Sequence, residues 1–312
     1  METVFTVTLN PGLDRTLTVP EIRFGEVLRA AEVRLDWGGK GFNVSRALHA
    51  LGVESVAMGF VGGATGRMLA EGLHELGIAT DFTPIAGETR TNTVIEEAGS
   101  GRYVKVNEPG PTVTAAEMDV LFAKVSSRAS VGSVWAFCGS LPPGVPADTY
   151  ARLIAAVQQR GGLACLDTSG EALRLGCAAG PYLVKPNAEE AEEQTGRPVR
   201  NAADIRAAVS HFQAAGARNV AISLGAGGLA LGGVEGVVQA KPPAVEIGTP
   251  VGVGDALLAG MIWAWGQGST TAEAAAWGVA AGTAAAMGEG VSMGTPDEVA
   301  AVYERVQTAW LE

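Results

Sequence analysis

The sequence predicts an α/β protein: a mostly parallel central sheet covered on both faces by helices, with a small antiparallel sheet beside it. Three observations carry that prediction. From about residue 114 onward, short β-rich runs alternate with helical patterns, the rhythm of parallel strands joined by crossover helices. Two stretches, about 12–36 and 82–107, each hold strand-like runs with no helix within the stretch, so they are expected to pair with each other as a lid. The 312 residues, 47% hydrophobic and with 43 glycines, suit one large domain of many short strand–turn–helix units. A single domain is therefore expected over residues 1–312, with the lid inserted in it.

Taken in order, Val4 to Leu9 is a β-rich run that ends in the turn Asn10-Pro11-Gly12, closely followed by Asp14. Leu17 to Asp36 reads as exposed strands carrying Arg23, Arg29 and Arg34. The cluster Trp37-Gly38-Gly39-Lys40-Gly41-Phe42-Asn43 then opens a helix with Val44, Ala47, Leu48 and Leu51 at helical spacing, stopped by Gly52. Ser55 to Val61 is a strand, and Gly66 to Leu76 a helix closed by Gly77. Two or three strands follow between Phe82 and Val106. Thr114 and Glu117 form a capping box for a helix running to about Ser127. Val134–Cys138, Leu163–Asp167 and Tyr182–Lys185 are strands, with a helix from Ala147 to Arg160 between the first two. After the strand Val220–Leu224 comes a glycine turn into what looks like a hairpin. Ala256 to Trp265 is an almost wholly apolar helix, and Thr271–Met287 and Pro296–Trp310 are read as two more.

Composition excludes several classes. A net charge of −11 argues against nucleic acid as a partner, because that affinity comes from a basic face. Cys138, Cys165 and Cys177 show no paired metal spacing and read as buried free thiols of a reducing, cytoplasmic setting. The start, Met1-Glu2-Thr3-Val4, leads straight into a strand with no basic signal region, and no apolar stretch of spanning length is free of glycine and polar punctuation. His49, His74 and His211 sit in helical settings without partners nearby in sequence, so they are not assigned to catalysis.

The chemistry is sought where strands end and helices begin, since ligands of open α/β sheets bind at the carboxyl ends of strands. Gly252-Val253-Gly254-Asp255 is the sharpest such junction. Early N–H groups of a helix lack intrahelical partners, glycine lets an anion approach them, and the helix dipole favours negative charge. Asp255 beside such an anion hole either caps the helix or takes a proton from a group attacking the anion, which is what phosphoryl transfer needs. Gly139-Ser140, Asp167-Thr168-Ser169-Gly170 and Lys185-Pro186-Asn187 end other strands. Asn187 and Glu190 stand one helical turn apart, so they either share a metal-bound water or belong to an acid-rich helix start. The turn around Ser223, Gly225 and Gly228 suits a nucleotide phosphate or a tight hairpin. Arg29, Arg90 and Lys105 place cations on the lid, which suits a substrate already carrying phosphate.

Assembled, these stretches resemble the ribokinase-like PfkB carbohydrate kinases over essentially the whole length. The resemblance rests on Asn10-Pro-Gly-Leu-Asp14, Gly38-Gly-Lys-Gly-Phe-Asn43, Gly139-Ser-Leu-Pro-Pro-Gly144, Lys185-Pro-Asn-Ala-Glu-Glu190, Ser223-Leu-Gly-Ala-Gly-Gly228 and Val251-Gly-Val-Gly-Asp255, in that order. Within the family it is similar to the phosphosugar branch, the 1-phosphofructokinases and tagatose-6-phosphate kinases. The resemblance implies a three-layer α/β/α domain, a homodimer joined through the β lid, ATP and Mg²⁺. It also implies Asp255 as base and Gly252, Val253 and Gly254 as anion hole. Asp14, Gly38, Gly39, Lys40, Asn43, Arg29, Arg90, Lys105 and Ser140 would hold the sugar phosphate. Lys185, Asn187, Ser223, Gly225 and Gly228 would hold the nucleotide, and Asn187 with Glu190 would hold Mg²⁺ through water. Val253 replaces the alanine common in this anion hole, a change that backbone donors tolerate. The asparagine often found near the adenine is not evident in Ala280–Ala286.

The reaction expected is ATP-dependent phosphorylation of fructose 1-phosphate; tagatose-6-phosphate kinase and a 6-phosphofructokinase of the same family are the alternatives. A non-catalytic sugar-phosphate sensor is a further class, but it has no use for a base such as Asp255. A dinucleotide-binding dehydrogenase is set aside, because Asn10-Pro11-Gly12-Leu13-Asp14 is not its glycine fingerprint.

Overall fold

The computed structural model describes residues 3–248, 251–288 and 290–312. The chain opens with β1 (Val4–Thr8), whose every residue is buried, as a strand covered on both faces requires. It then leaves the main body as β2 (Gly12–Val19) and β3 (Glu32–Gly38) and returns as α1 (Lys40–Ala50), β4 (Ser55–Val61), α2 (Gly63–Glu75), and the short β5 (Ala79–Thr80) and β6 (Thr83–Pro84). A second excursion forms β7 (Arg90–Glu97) and β8 (Tyr103–Val106). Alternation follows: α3 (Ala115–Arg128), β9 (Val134–Cys138), α4 (Thr149–Gln158), β10 (Leu163–Asp167), α5 (Gly170–Ala178), β11 (Leu183–Val184), α6 (Ala188–Thr195), α7 (Ala202–Ala214) and β12 (Asn219–Ser223). The last third holds β13 (Leu229–Gly233), β14 (Gly236–Lys241), α8 (Val253–Gly266), α9 (Thr271–Met287), α10 (Pro296–Tyr303) and β15 (Gln307–Trp310).

The main sheet runs β15-β14-β13-β12-β11-β10-β9-β1-β4-β5, with β6 also on β4. Pairing is parallel from β12 to β5 and antiparallel from β12 to β15. Side chains alternate between two cores. Phe5, Trp135 and Phe137 pack against α3, α4, α5 and α7, with the Phe5 and Trp135 rings stacked at 4.2 Å. Val134, Ala136, Cys138 and Ala221 point the other way, toward α1, α8 and α9. The small residues on that side let α8 settle close to the sheet. Buried from Asp255 to Ile262 without a break, α8 is the apolar-all-round helix its sequence predicts. Thus the sequence itself drives the first turn of α8 into the interior.

The lid is a four-stranded sheet in the order β3-β2-β7-β8. Its outer pairs are antiparallel, as expected, whereas β2 and β7 join the two hairpins in parallel. Register sorts its residues by face. Asp14 pairs with Asn92 on one face, and Lys105 pairs with Val94 on that same face. Val33, Leu17, Ile95 and Val104 line up across the other. The outer apolar face is open to solvent: Val33 is 52% and Val106 58% exposed.

Two sequence expectations need correction. The helix read over Pro296–Trp310 stops at Tyr303, and Gln307–Trp310 instead adds a strand to β14, whose free edge supplies backbone partners that a helical reading ignores. The helix read from Gly66 begins at Gly63, because Glu88 of the distant lid base accepts from the N–H groups of Ala64 and Thr65 and caps that turn. The capping box of Thr114 and Glu117 is present as read.

Candidate active site

At the N-terminus of α8, Gly252 takes φ 78°, a conformation open to glycine, and starts the helix without any side-chain cap. The N–H groups of Asp255 and Ala256 return to Gly252 O at 3.1 and 2.8 Å. The Asp255 donor is therefore engaged, which leaves Val253 and Gly254 as the first-turn donors ahead of the helical ladder. Thr249 and Pro250 of the same sequence stretch lie outside the described residues. The Asp255 carboxylate is not used for capping: it is buried, and Oδ2 accepts from Asn43 Nδ2 at 2.8 Å. Burial, and next the negative charge of Asp167, push Asp255 up to about 7, against the Asn43 hydrogen bond and the charges of Lys40 and Lys185.

Asp167 is the residue that sequence reasoning left without a role. Fully buried at the end of β10, it holds Lys40 Nζ at 2.7 Å on one oxygen and Lys185 Nζ at 2.9 Å on the other. Sheet register explains the second contact, since Leu166 pairs with Val184 and the next residues are Asp167 and Lys185. Although burial favours the protonated acid, the two ammonium groups overcome it and hold Asp167 below the usual carboxylate range. A Cβ added to Gly254 would stand 3.4 Å from Lys185 Nζ, so this cation sits at the anion hole itself. Lys40, expected among the sugar-phosphate residues, donates to Asp167 and keeps 42% of its side chain exposed. The signal available in the sequence was an acid and a lysine ending consecutive strands.

The lid supplies a second cluster. Asn92 Nδ2 donates to Asp14 Oδ1 at 2.7 Å. Burial raises Asp14 above its ordinary value, and the Asn92 hydrogen bond and the charges of Lys105 and Arg90 oppose this. Gly38 lies against this acid, where a Cβ would come within 2.5 Å of Asp14 Oδ2. Arg90 donates to Asn10 O at 2.8 Å and Glu108 O at 2.9 Å, and Asn10 Nδ2 reaches Ser140 Oγ at 3.4 Å. Asp14, Gly38, Arg90, Lys105 and Ser140 are thus brought together, with Gly39 and Asn43 at the adjoining start of α1. Arg29 is exposed in the connection between β2 and β3 and makes no hydrogen bond or ion pair among the described residues.

On the far side of α8 lies an apolar cavity of about 710 Å³. Ser223, Gly225 and Gly228 line one wall, Gly282 and Thr283 of α9 another, and Val253 and Gly254 the end nearest Asp255. Asn187 and Glu190 cap α6 reciprocally: Asn187 Oδ1 accepts from Glu190 N, and Glu190 Oε2 from Asn187 N, both at 2.8 Å. Oε1 of Glu190 is left unused by the cap.

Residues 8–298 match the family described as pfkB family carbohydrate kinase. The chain is 37% identical to a 1-phosphofructokinase of Rhodobacter capsulatus over 87% of this chain and 86% of that one. It also superposes on phosphofructokinase-2 from Escherichia coli, solved with fructose-6-phosphate, with TM-score 0.91 and 31% identity over 98% of this chain and 99% of that one. A tetrameric inhibited form of the latter is equally similar, with TM-score 0.91 and 32% identity over 98% and 99% of the two chains. Such agreement in sequence and fold is that of kinship: the chain belongs to the pfkB family of carbohydrate kinases.

Proposed function

We propose that the protein transfers the γ-phosphoryl group of ATP to the free hydroxymethyl group of fructose 1-phosphate, giving fructose 1,6-bisphosphate. The observation that carries this reading is the buried Asp255 carboxylate on the first turn of α8, whose neighbours Val253 and Gly254 also line the large cavity. Such a carboxylate, held near 7, is basic enough to take the proton of an attacking hydroxyl at neutral pH. Asn43 fixes its orientation. The N–H groups of Val253 and Gly254, the helix dipole and the Lys185 ammonium group stand where charge grows on the transferring phosphoryl. The cavity takes the nucleotide, with glycine and serine at its phosphate end and Gly282 and Thr283 beside the base. Asp14 and Gly38 hold the sugar, and Arg90, Lys105, Ser140 and Arg29 are the groups offered to its phosphate.

Asn187 and Glu190 fit a magnesium ion held through water, because the cap spares Glu190 Oε1 and the carboxylate acts electrostatically on Lys40 within the same cluster. When bound there, magnesium would neutralise part of the nucleotide's phosphate charge. A cytoplasmic homodimer joined through the outer face of the lid completes the reading. It is supported by the exposed row of Val33, Leu35, Val104 and Val106.

A second reading, transfer to fructose 6-phosphate, is favoured by the likeness to the Escherichia coli phosphofructokinase-2 solved with that sugar. ADP release with ATP, magnesium and each of fructose 1-phosphate, fructose 6-phosphate, tagatose 6-phosphate and ribose separates the readings. A kcat/KM about a hundred-fold higher for fructose 1-phosphate, a gap of about 2.7 kcal/mol, is expected. Preference for another sugar phosphate keeps the mechanism and replaces the substrate, and no turnover with any of them sinks the kinase reading.

A further inference from the structure

We infer that Tyr150, on the buried face of α4, is a positioning residue for the sugar phosphate: its hydroxyl holds the peptide that turns out of β9 and so aims Ser140 at the substrate. The inference rests on the sugar-phosphate kinase reading above and adds a residue that lies behind the site.

Strand β9 ends at Cys138, and Gly139 leaves it with φ 90°, a conformation open to glycine. Space does not demand glycine there, since an added Cβ would meet nothing within 4 Å. The turn itself does, and hydrogen bonds hold it from behind. Gly139 N–H donates to Asp167 O at 2.8 Å. Thr168 Oγ1 donates to Gly139 O at 2.9 Å. The Tyr150 hydroxyl, 3.0 Å from both Cys138 O and Gly139 O, is shared between these two carbonyls.

Tyr150 is fully buried, with its ring beside that of Phe137. Phenylalanine would fill the same space, so packing alone gives no reason for the hydroxyl. Burial pushes the phenol well above its ordinary range, so the oxygen keeps its proton and remains a donor.

The hold on Gly139 reaches Ser140 through the planar peptide between them. That bond is trans, so Ser140 N–H points opposite to the carbonyl that Tyr150 and Thr168 secure. This N–H donates to nothing among the described residues, and Ser140 is exposed. Ser140 Oγ accepts from Asn10 Nδ2 at 3.4 Å, which leaves its own O–H free to donate. An N–H and an O–H side by side suit an anionic group. Were the peptide to flip, a carbonyl oxygen would face that anion in place of the N–H. The Tyr150 hydroxyl opposes the flip, because flipping would strand a buried donor.

The test is the kinetics of Tyr150→Phe with fructose 1-phosphate and ATP, beside Ser140→Ala and the double variant. Tyr150→Phe is expected to raise KM for the sugar phosphate about 5- to 30-fold while KM for ATP stays within about twofold. The double variant should fall at least about threefold short of the product of the two single effects, because both act on one contact. A sugar KM within about twofold of wild type, an equal rise in both KM values, or full multiplication in the double variant overturns the inference. Should Tyr150→Phe fail to fold, Thr168→Val decides by the same thresholds, since it removes the other side-chain donor to Gly139 O. Unaltered sugar KM in a variant of an active enzyme sinks this inference alone. A wild-type protein that phosphorylates no ketohexose phosphate sinks the kinase reading, and this inference with it.

Discussion

Asn43 and Asp255 are 212 residues apart in the chain, yet the carboxamide of one donates to the carboxylate of the other across 2.8 Å. The contact exists because α1 and α8 lie side by side over the small residues of the sheet. It fixes Oδ2 of Asp255 and leaves Oδ1 to take a proton. A buried base oriented by a neighbouring helix loses little freedom when substrate arrives.

Asp255→Asn keeps that hydrogen bond and the shape of the turn while removing the base. Its kcat is expected to fall about 10²- to 10⁴-fold, the usual contribution of a positioned base. Binding of ATP, measured by calorimetry, should change little. Turnover within tenfold of wild type would sink the role given to Asp255.

The same substitution is expected to stabilise the fold above neutral pH. Asp255 titrates near 7 in the folded protein and near 4 when unfolded, so between those values the folded state holds a proton that the unfolded chain has lost. Stability contributed by this group is therefore present at low pH and is lost as pH rises toward 7. Replacing the acid by a neutral isostere removes that loss. At pH 8 Asp255→Asn should unfold at higher urea, by about 2–4 kcal/mol, and the difference should shrink toward pH 4. An equal effect at both pH values contradicts the buried-charge account.

Much of this site was legible in the sequence, for reasons that can be assigned. Glycines 252 and 254 before an unbroken apolar helix can only mean a buried helix start, and Asp255 comes with it. The lid was visible because strands without helices must pair among themselves. Asp167 was seen as a strand end but not as the partner of Lys40, because their contact spans 127 residues and depends on sheet order and register, which no local pattern encodes. The C-terminal strand was missed for the same reason: only the free edge of β14 makes Gln307–Trp310 extended. Asn92 stood in view within Glu88-Thr-Arg-Thr-Asn92, but its bond to Asp14 is a property of the packed lid.

The outer face of the lid gives a prediction about assembly. Val33 and Val106 are more than half exposed, at 52% and 58%, and share a face with Leu35 and Val104. A second copy covering this face would remove the row from water. Val33→Glu together with Val106→Glu should shift the protein to monomer in light scattering at micromolar concentration, with the far-ultraviolet spectrum unchanged. A wild-type protein that is already monomeric removes the lid from the assembly.

Asp167 makes the most discriminating prediction, because its two lysines change with it. Lys185 is only 4% exposed, so Asp167→Asn leaves a buried cation unpaired, and a loss of about 3–5 kcal/mol of stability is expected. Lys40, with 42% of its side chain exposed, finds water instead and adds little. The electrostatic sign at Asp255 is opposite for the two members of the pair. Removing the Asp167 charge lowers the pKa of Asp255, so the acid limb of kcat/KM moves to lower pH. Lys185→Met removes a cation that stabilises the ionised base, so the acid limb moves to higher pH. Both variants should lose rate: Lys185→Met removes the ammonium group at the anion hole, and Asp167→Asn removes the carboxylate that holds that group in place. Generic damage to the fold would lower rate in both without moving the limbs apart. Limbs that shift in the same direction, or not at all, would break the electrostatic link between Asp167 and Asp255.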